Sequence, residues 1–421
     1  MNVQQNIKQL PKGWKWVKVS SVAELYRGIN YTKDVASNIP SKDNLPILRG
    51  NNINGELNYE DLVYVPKELI KPEQLIKKDD IIFAMSSGSK HLVGKSAVAK
   101  SNFKGSYGAF CAMLRVSDNV SKQYVSYIFK GNSYRKLISE IAKGTNINNL
   151  KREHILDFEI PLPPKPTQQA IVSKIEELFS ELDKGIENLR TAQQQLKTYR
   201  QSVLKWAFEG KLTNENVMEG ELPKGWKIKT IGDIFEVYIG STPKRNTPEY
   251  WGGSIHWVSS GEIAFCNITD TKEKITNVGL EKTSCKVHPR GTVIIAMIGE
   301  GKTRGQAAIL KIEASHNQNT AAIRVDNNIY KSELLYYYLF LKYEDNRKVG
   351  SGNNQKALNK ERVKSIRIPL PPIEEQHKIV QSIESRLSVA DKMEESITQS
   401  LQQAEALRQS ILKKAFEGRL V

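Results

Sequence analysis

The chain has 421 residues, more than one core comfortably serves, and 39% of them are hydrophobic. That excludes wholesale disorder and points to two or three domains. Its net charge of +16 is unevenly placed: residues 15–160 carry a net +7, residues 224–367 a net +9, and the remainder balances to zero. Two separate basic regions suit two surfaces that face phosphate, although basicity alone fits an acidic protein partner equally well.

No apolar run reaches the roughly 18 residues of a membrane span, and the first residues lack a signal-peptide pattern. The expectation is a cytoplasmic protein with no membrane partner. Cys111, Cys266 and Cys285 stand far apart, with no CxxC pair, and read as reduced thiols.

In chain order, the first recognisable element is Leu10-Pro-Lys-Gly-Trp14. A mixed region of short β-rich runs and polar loops follows. Within it, Arg49, Asn51 and Asn52 offer side chains suited to base edges. The apolar strand Ile81–Met85 leads into a loop bearing Ser87, Ser89, Lys90, His91 and Lys95, whose amides, hydroxyls and cations suit phosphate. A second polar loop carries Thr145 and Asn146 just before Ile160-Pro-Leu-Pro-Pro164. Prolines 161, 163, 164 and 166 predict a helix that starts at Thr167 as its N-cap.

That helix carries apolar residues at alternating steps of four and three, including Ile171, Ile175, Leu178, Leu182, Leu189, Leu196, Tyr199 and Val203. Five heptads define a pairing seam, with Gly185 its weak position. Gly210 stands where a helix stop belongs.

The same order then repeats. Leu222-Pro-Lys-Gly-Trp226, Ile368-Pro-Leu-Pro-Pro372 and Gln409–Leu420 answer Leu10–Trp14, Ile160–Pro164 and Gln201–Leu212. Between them Ile81–Met85 is echoed by Val293–Met297, and Ala112–Val116 by Ala321–Val325. The second mixed region offers Ser241, Thr242, Lys244, Tyr250, Trp257, Ser259 and Ser260, then Lys302, Thr303, Arg304, Gln306, Asn317, Gln318 and Asn353. Its helix has a seam of Ile379, Ile383, Leu387, Ile397, Leu407 and Ile411, with Met393 between, and stops at Gly418.

The fold class expected is therefore mixed α/β (α+β), with two globular domains in tandem, each followed by a long helix. The boundaries are 1–160 for the first globular domain, 161–212 for the central helix, 213–221 for a linker, 222–367 for the second domain and 368–421 for the C-terminal helix. Helices of some 42 residues cannot bury their seams alone, so they are expected to pair as an antiparallel coiled coil with pseudo-twofold symmetry. Kept ends and divergent middles suggest one scaffold presenting two different readers, and hence a bipartite, asymmetric double-stranded DNA target.

Catalytic motifs are missing from the pattern. There is no Asn/Asp-Pro-Pro-Tyr/Phe box, no glycine-rich methyl-donor loop and no phosphate loop of the GxxxxGK[ST] type. Asp270-Thr-Lys272 matches the nuclease triplet only as chance would supply it. The six histidines show no metal-ligand spacing, so no catalytic residue and no metal site is expected.

These motifs together resemble the specificity subunits of type I restriction–modification systems. The carrying residues are Leu10–Trp14 with Leu222–Trp226, Ile160–Pro164 with Ile368–Pro372, Glu375-Gln376, and Ala207–Leu212 with Ala415–Leu420. Gly240-Ser-Thr-Pro243, Tyr250-Trp-Gly-Gly253 and Trp257-Val258 resemble one class of target-recognition domain. Thr167-Gln168 departs from the Glu-Gln of the family pattern, and the first domain lacks the Tyr-Trp-Gly-Gly signature. The resemblance implies a non-catalytic subunit whose two recognition domains each read half of a split DNA target. It implies two methyltransferase subunits per chain as partners, with a restriction subunit as a further one. S-adenosylmethionine, ATP and Mg belong to those partners, and no cofactor belongs to this chain. A stand-alone DNA-binding or architectural protein is the alternative.

Overall fold

The computed structural model describes residues 10–86, 93–144, 149–214, 216–218, 220–299, 301–348 and 358–421. The chain forms two compact units, 1–190 with 398–421, and 191–397. Of the nominated residues, Ser87, Ser89, Lys90, His91, Thr145, Asn146 and Asn353 lie outside the described ones.

In the first unit a four-stranded antiparallel sheet runs in the order Ala23–Arg27, Cys111–Val116, Ile81–Ala84, Ser96–Val98. A smaller sheet sets Asn44–Leu48 antiparallel to Val63–Pro66 and parallel to Ser106–Tyr107. Ile81, Ile82, Phe83 and Ala84 are all buried, as a continuous apolar run demands of a strand covered on both faces. The helix Lys122–Lys130 supplies Tyr124, Val125, Ile128 and Phe129 to the core beneath.

The second unit follows the same plan. A five-stranded sheet orders Glu236–Ile239, Thr320–Arg324, Val293–Ala296, Ala307–Leu310 and Cys266–Ile268. Trp251–Val258 lies antiparallel to Glu273–Ile275 and parallel to Ala314–His316. The faint sequence echoes fall on matching, paired strands: Ile81 faces Leu114 in one unit, and Val293 faces Ile323 in the other.

The repeated ends form the junctions. Lys15–Lys18 pairs antiparallel with Glu159–Leu162, and Lys227–Thr230 pairs with Arg367–Leu370, so the start of each globular part is tied to its proline-rich exit. Each long helix spans 44 residues, Lys165–Phe208 and Ile373–Phe416. Both end in a Schellman turn. Lys211 N donates to Trp206 O and Gly210 N to Ala207 O, just as Arg419 N donates to Lys414 O and Gly418 N to Ala415 O. Gly210 and Gly418 hold φ of +78° and +68°. A Cβ there would lie 2.1 Å from Pro223 Cγ and 2.3 Å from Pro11 Cγ, respectively. The motif that opens each unit and the motif that ends a helix are thus the two halves of one contact.

The helix start differs from the sequence expectation. The first long helix begins at Lys165 and holds Pro166 in its first turn, where a missing N–H costs nothing. Pro164 O accepts from Gln168 N, so Thr167 is not the cap.

Within the first unit, Ile171, Ile175 and Phe179 share a core with Ile411, Leu412 and Ala415, and Arg408 reaches Asp183 while lying 4.5 Å over the Phe179 ring. Within the second, Leu204, Ala207 and Phe208 share a core with Ile379 and Ile383, and Arg200 bridges Asp391 at 2.5 Å and Glu394 at 2.8 Å. Leu196, Val203 and Ile397 are buried, whereas Leu178, Leu182, Leu189, Tyr199 and Leu387 are half-buried. Leu407, nominated for the seam, is instead 51% exposed, as is Met393 at 53%. The buried positions step from Ala404 to Ile411, Leu412 and Ala415, with Arg408 taking the place expected of Leu407. The buried row Ile383, Ala390, Ile397, Ala404 and Ile411 keeps a strict step of seven, and the step of seven from Leu401 falls on Arg408, not on Leu407.

Candidate nucleic-acid interface

In each unit four loop segments converge on one edge, and the hydrogen bonds that gather them are equivalent. The first is a glycine-led loop after the opening strand of the main sheet. Gly28 and Gly240 pass so close to the facing chain that a Cβ would stand 2.0 Å from Gly108 O and 2.2 Å from Asn317 O. Only glycine fits.

The second segment is a short turn that leaves the smaller sheet. Arg49–Asn52 closes with Asn52 Oδ1 accepting from Arg49 N at 2.8 Å, and Ser259–Glu262 closes with Glu262 Oε2 accepting from Ser259 N at 2.9 Å. The third is a β-turn, Gly108–Cys111 or Asn317–Thr320, with closing bonds of 2.8 and 3.3 Å. The fourth ends the central hairpin at Lys95 or Gln306, whose carbonyls accept from Ala84 N and Ala296 N.

The β-turn is the clasp. Gly108 N donates to Leu48 O, and Asn317 N to Val258 O, which holds it to the second segment. Met85 N donates to Phe110 O at 2.8 Å, and Met297 N to Asn319 O at 2.9 Å, which holds it to the fourth. Rigid backbone therefore positions side chains that differ between the units, as a reading surface needs.

In the first unit, Asn51 projects into solvent and Lys95 Nζ meets Asn54 Oδ1 at 2.6 Å. The Arg49 guanidinium donates to Asp61 O at 2.8 Å in a groove shared with Asn38, Asn51, Tyr59 and Tyr64. Asn52 is buried, with both ends of its amide used on Arg49 N and Glu60 O, so it closes the turn and does not read.

In the second unit, Ser241, Thr242, Lys244, Ser260 and Gln318 gather on the edge. The Thr242 hydroxyl donates to Gln318 Oε1, and Ser241 N donates to His316 O at 2.9 Å. The Ser259 hydroxyl is committed to Glu262 at 2.7 Å. Asn317 is buried, its Oδ1 accepting from Asn319 N at 3.2 Å. Trp257 is only 1% exposed and supports the loop from beneath, donating Nε1–H to Ser241 O at 3.0 Å. Tyr250 is half-buried, and its carbonyl accepts from Thr276 N.

Lys302, Thr303 and Arg304 lie on the loop before Gln306, which leans on the helix Tyr343–Lys348. There Tyr343 OH donates to Lys302 O, and Arg304 Nη2 donates to Arg347 O at 3.0 Å. The Lys302 ammonium remains in solvent.

Sequence reading missed Arg245, which stacks 4.1 Å over Trp251 and forks onto Glu273, with one arm at 3.0 Å. An arginine six residues before a tryptophan was the available signal. It also missed a histidine pair under the edge. His288 and His316 are buried with ring centroids 5.0 Å apart. Burial, then the charges of Arg324 and Lys286, hold His288 down at about 4, and burial with His288 beside it holds His316 at about 3. Both rings are neutral props.

Among the described residues no cluster of His, Cys, Asp or Glu could hold a metal ion, and no helix is long and apolar enough to cross a membrane. The geometry defines a duplicated binding protein, one mixed α/β module used twice, with a clasped backbone and interchangeable side chains. The model of the type I restriction modification DNA specificity domain matches both copies, over residues 11–190 and 223–403, and the chain belongs to that family.

It is 32% identical to the StySPI specificity subunit of Salmonella potsdam, an alignment covering 99% of this chain and 91% of that one. It is 33% identical to the EcoKI specificity subunit of Escherichia coli K12, over 98% and 90%. The fold is that of the HsdS subunit from Thermoanaerobacter tengcongensis, with TM-score 0.62, 19% identity and 98% of each chain covered. It also matches a chain of a type I R-M system, with TM-score 0.76, 19% identity and coverage of 98% and 99%.

Proposed function

We propose that this chain gives a type I restriction–modification complex its DNA sequence specificity, with one recognition domain in residues 1–160 and the other in 222–367. The observation that carries this reading is the equivalent clasped edge in two modules of one family, each bearing different side chains on a basic region. Two unlike readers on one chain call for a target of two unlike halves. The segments 161–212 and 368–421 are the spacer that sets the gap between those halves, joined through 213–221.

The chemistry is the partners'. Two methyltransferase subunits bring S-adenosylmethionine and methylate adenine, and a restriction subunit brings ATP- and Mg-dependent cleavage. The chain itself is non-catalytic and works in the cytoplasm. Association with DNA rests on phosphate contacts from both basic regions, so it weakens steeply as salt rises.

The test is to express the chain with its methyltransferase and read the methylated motif genome-wide. One asymmetric, interrupted motif is expected, and exchanging residues 15–160 for another recognition domain should alter one half only. Both halves changing together would refute two independent readers. A chain that purifies without a methyltransferase yet binds duplex DNA tightly would instead be an architectural protein.

A further inference from the structure

The clasping β-turn carries different cargo in the two modules. In the second module its central residues are Gln318 and Asn319, both polar. In the first they are Ala109 and Phe110, and Phe110 is 68% exposed.

Its backbone is held from three sides. Phe110 O accepts from both Met85 N at 2.8 Å and Ser86 N at 3.2 Å, Cys111 N closes the turn onto Gly108 O at 2.8 Å, and Gly28 N donates to Cys111 O at 3.1 Å. The ring therefore projects from a rigid turn. The turn is bonded through Gly108 N and Leu48 O to the strand end from which Arg49 and Asn51 emerge. Its equivalent in the second module, judged by the matching bond from Met297 N, is Asn319.

Resting on the reading above, we infer that Phe110 is a base-contacting specificity residue of the first module and recognises thymine through its 5-methyl group. The methyl is the one apolar feature that base edges present in the major groove, and apolar side chains meet it there. Arg49 and Asn51, on the segment that the turn is bonded to, carry polar groups of the same edge, so the aromatic ring adds discrimination at one base pair and none at the phosphates. Asn319 occupies the equivalent position of the second module with a side chain that pairs with a polar base edge.

The test uses the assembled complex and the duplex defined by its methylated motif, with each thymine of the first half-site replaced in turn by deoxyuridine, which lacks only the methyl. For the unaltered complex, one replacement should weaken binding by about 3- to 10-fold, the effect of one buried methyl group. In F110A, and in F110N, which copies the second module, that penalty should vanish while discrimination in the second half-site persists. The exposed position leaves folding intact, checked by an unchanged melting temperature.

If every deoxyuridine penalty survives in F110A, Phe110 does not read thymine. If F110A instead loses its methyltransferase with its base preferences intact, the ring is a protein contact and the inference falls. A complex with the native Phe110 that fails to prefer its own motif over a scrambled duplex would sink the underlying reading, and the inference with it.

Discussion

Arg115 and Arg324 occupy the same place in the same strand of the two modules, yet they hold different partners. Arg115 forks onto Asp80, with Nε and Nη2 at 3.0 and 2.7 Å from its two oxygens, and adds the carbonyls of Glu73 and Leu75. Among the described residues Arg324 has no carboxylate there. It donates Nε–H to His288 Nδ1 and Nη2–H to Val287 O, both at 3.1 Å. The difference teaches where this fold is rigid. A charged pair in one core can become an arginine–imidazole pair in the other because the surrounding backbone bonds stay the same. The junctions have no such latitude, since their sequence is nearly identical in both copies.

The sharpest way to break that contrast is at the helix stops. Gly210→Ala and Gly418→Ala each place a Cβ against a proline ring at a left-handed φ. Conformational strain and overpacking together should cost about 2–4 kcal/mol at either site. Chemical denaturation of the two variants should show similar losses. A loss at only one site would mean that the two junctions are not equivalent, despite their shared sequence.

A smaller effect is expected at the buried glutamines that begin the long helices. Gln168 accepts from Ser121 N at 2.8 Å and donates to Pro163 O at 2.8 Å. Gln376 accepts from Lys331 N at 2.8 Å and donates to both Pro371 O and Ile329 O, at 2.9 and 3.0 Å. Replacing either by leucine strands an amide and a carbonyl, a loss of about 1–3 kcal/mol. Gln376→Leu should be the worse of the two, because one more carbonyl loses its donor. Equal losses would show that the third bond contributes nothing.

Much of this was legible in the sequence. The repeats marked the junctions, the heptad steps marked the helices, and several of the polar loop residues fall on the clasped edge of each module. What escaped had physical reasons. Leu407 is apolar but stands one residue before Arg408, where the seven-residue step from Leu401 falls, and Pro166 can sit in a first helical turn. Asn52, Asn317 and Trp257 belong to the types that contact bases, but a turn consumes the same hydrogen-bonding groups that a base would. Only the paired strands and turns show which polar groups are already spent. Phe110 had no signal at all in the sequence, because an aromatic residue beside a strand reads as core.

The smallest expected effect separates the two modules by pH. The Arg115–Asp80 pair has its second-module counterpart in the Arg324–His288 pair, and Tyr107 occupies the strand position that His316 takes in the second module. His316 Nδ1 lies 2.7 Å from Thr320 Oγ1, which itself donates to Asn317 O, so Nδ1 carries the proton. Its buried Nε2 has no hydrogen-bond partner among the described residues, and a proton there would be an unpaired buried donor. His288 likewise accepts from a guanidinium and cannot be protonated without losing that bond.

Both folded-state values, about 4 and about 3, lie below the ordinary 6.5. The unfolded chain therefore takes up protons first at these two positions as pH falls, and the stability that neutral His288 and His316 contribute is full above about pH 7 and declines from 6.5 down through 4. Each histidine should steepen that decline by about 1 kcal/mol per pH unit. His288→Gln keeps an acceptor for Arg324 and removes one titration, so unfolding midpoints followed between pH 7 and 4.5 should fall less steeply in this variant. A decline as steep as before would mean that the acid response arises elsewhere and that the exchange of Asp80 for His288 carries no cost in pH tolerance.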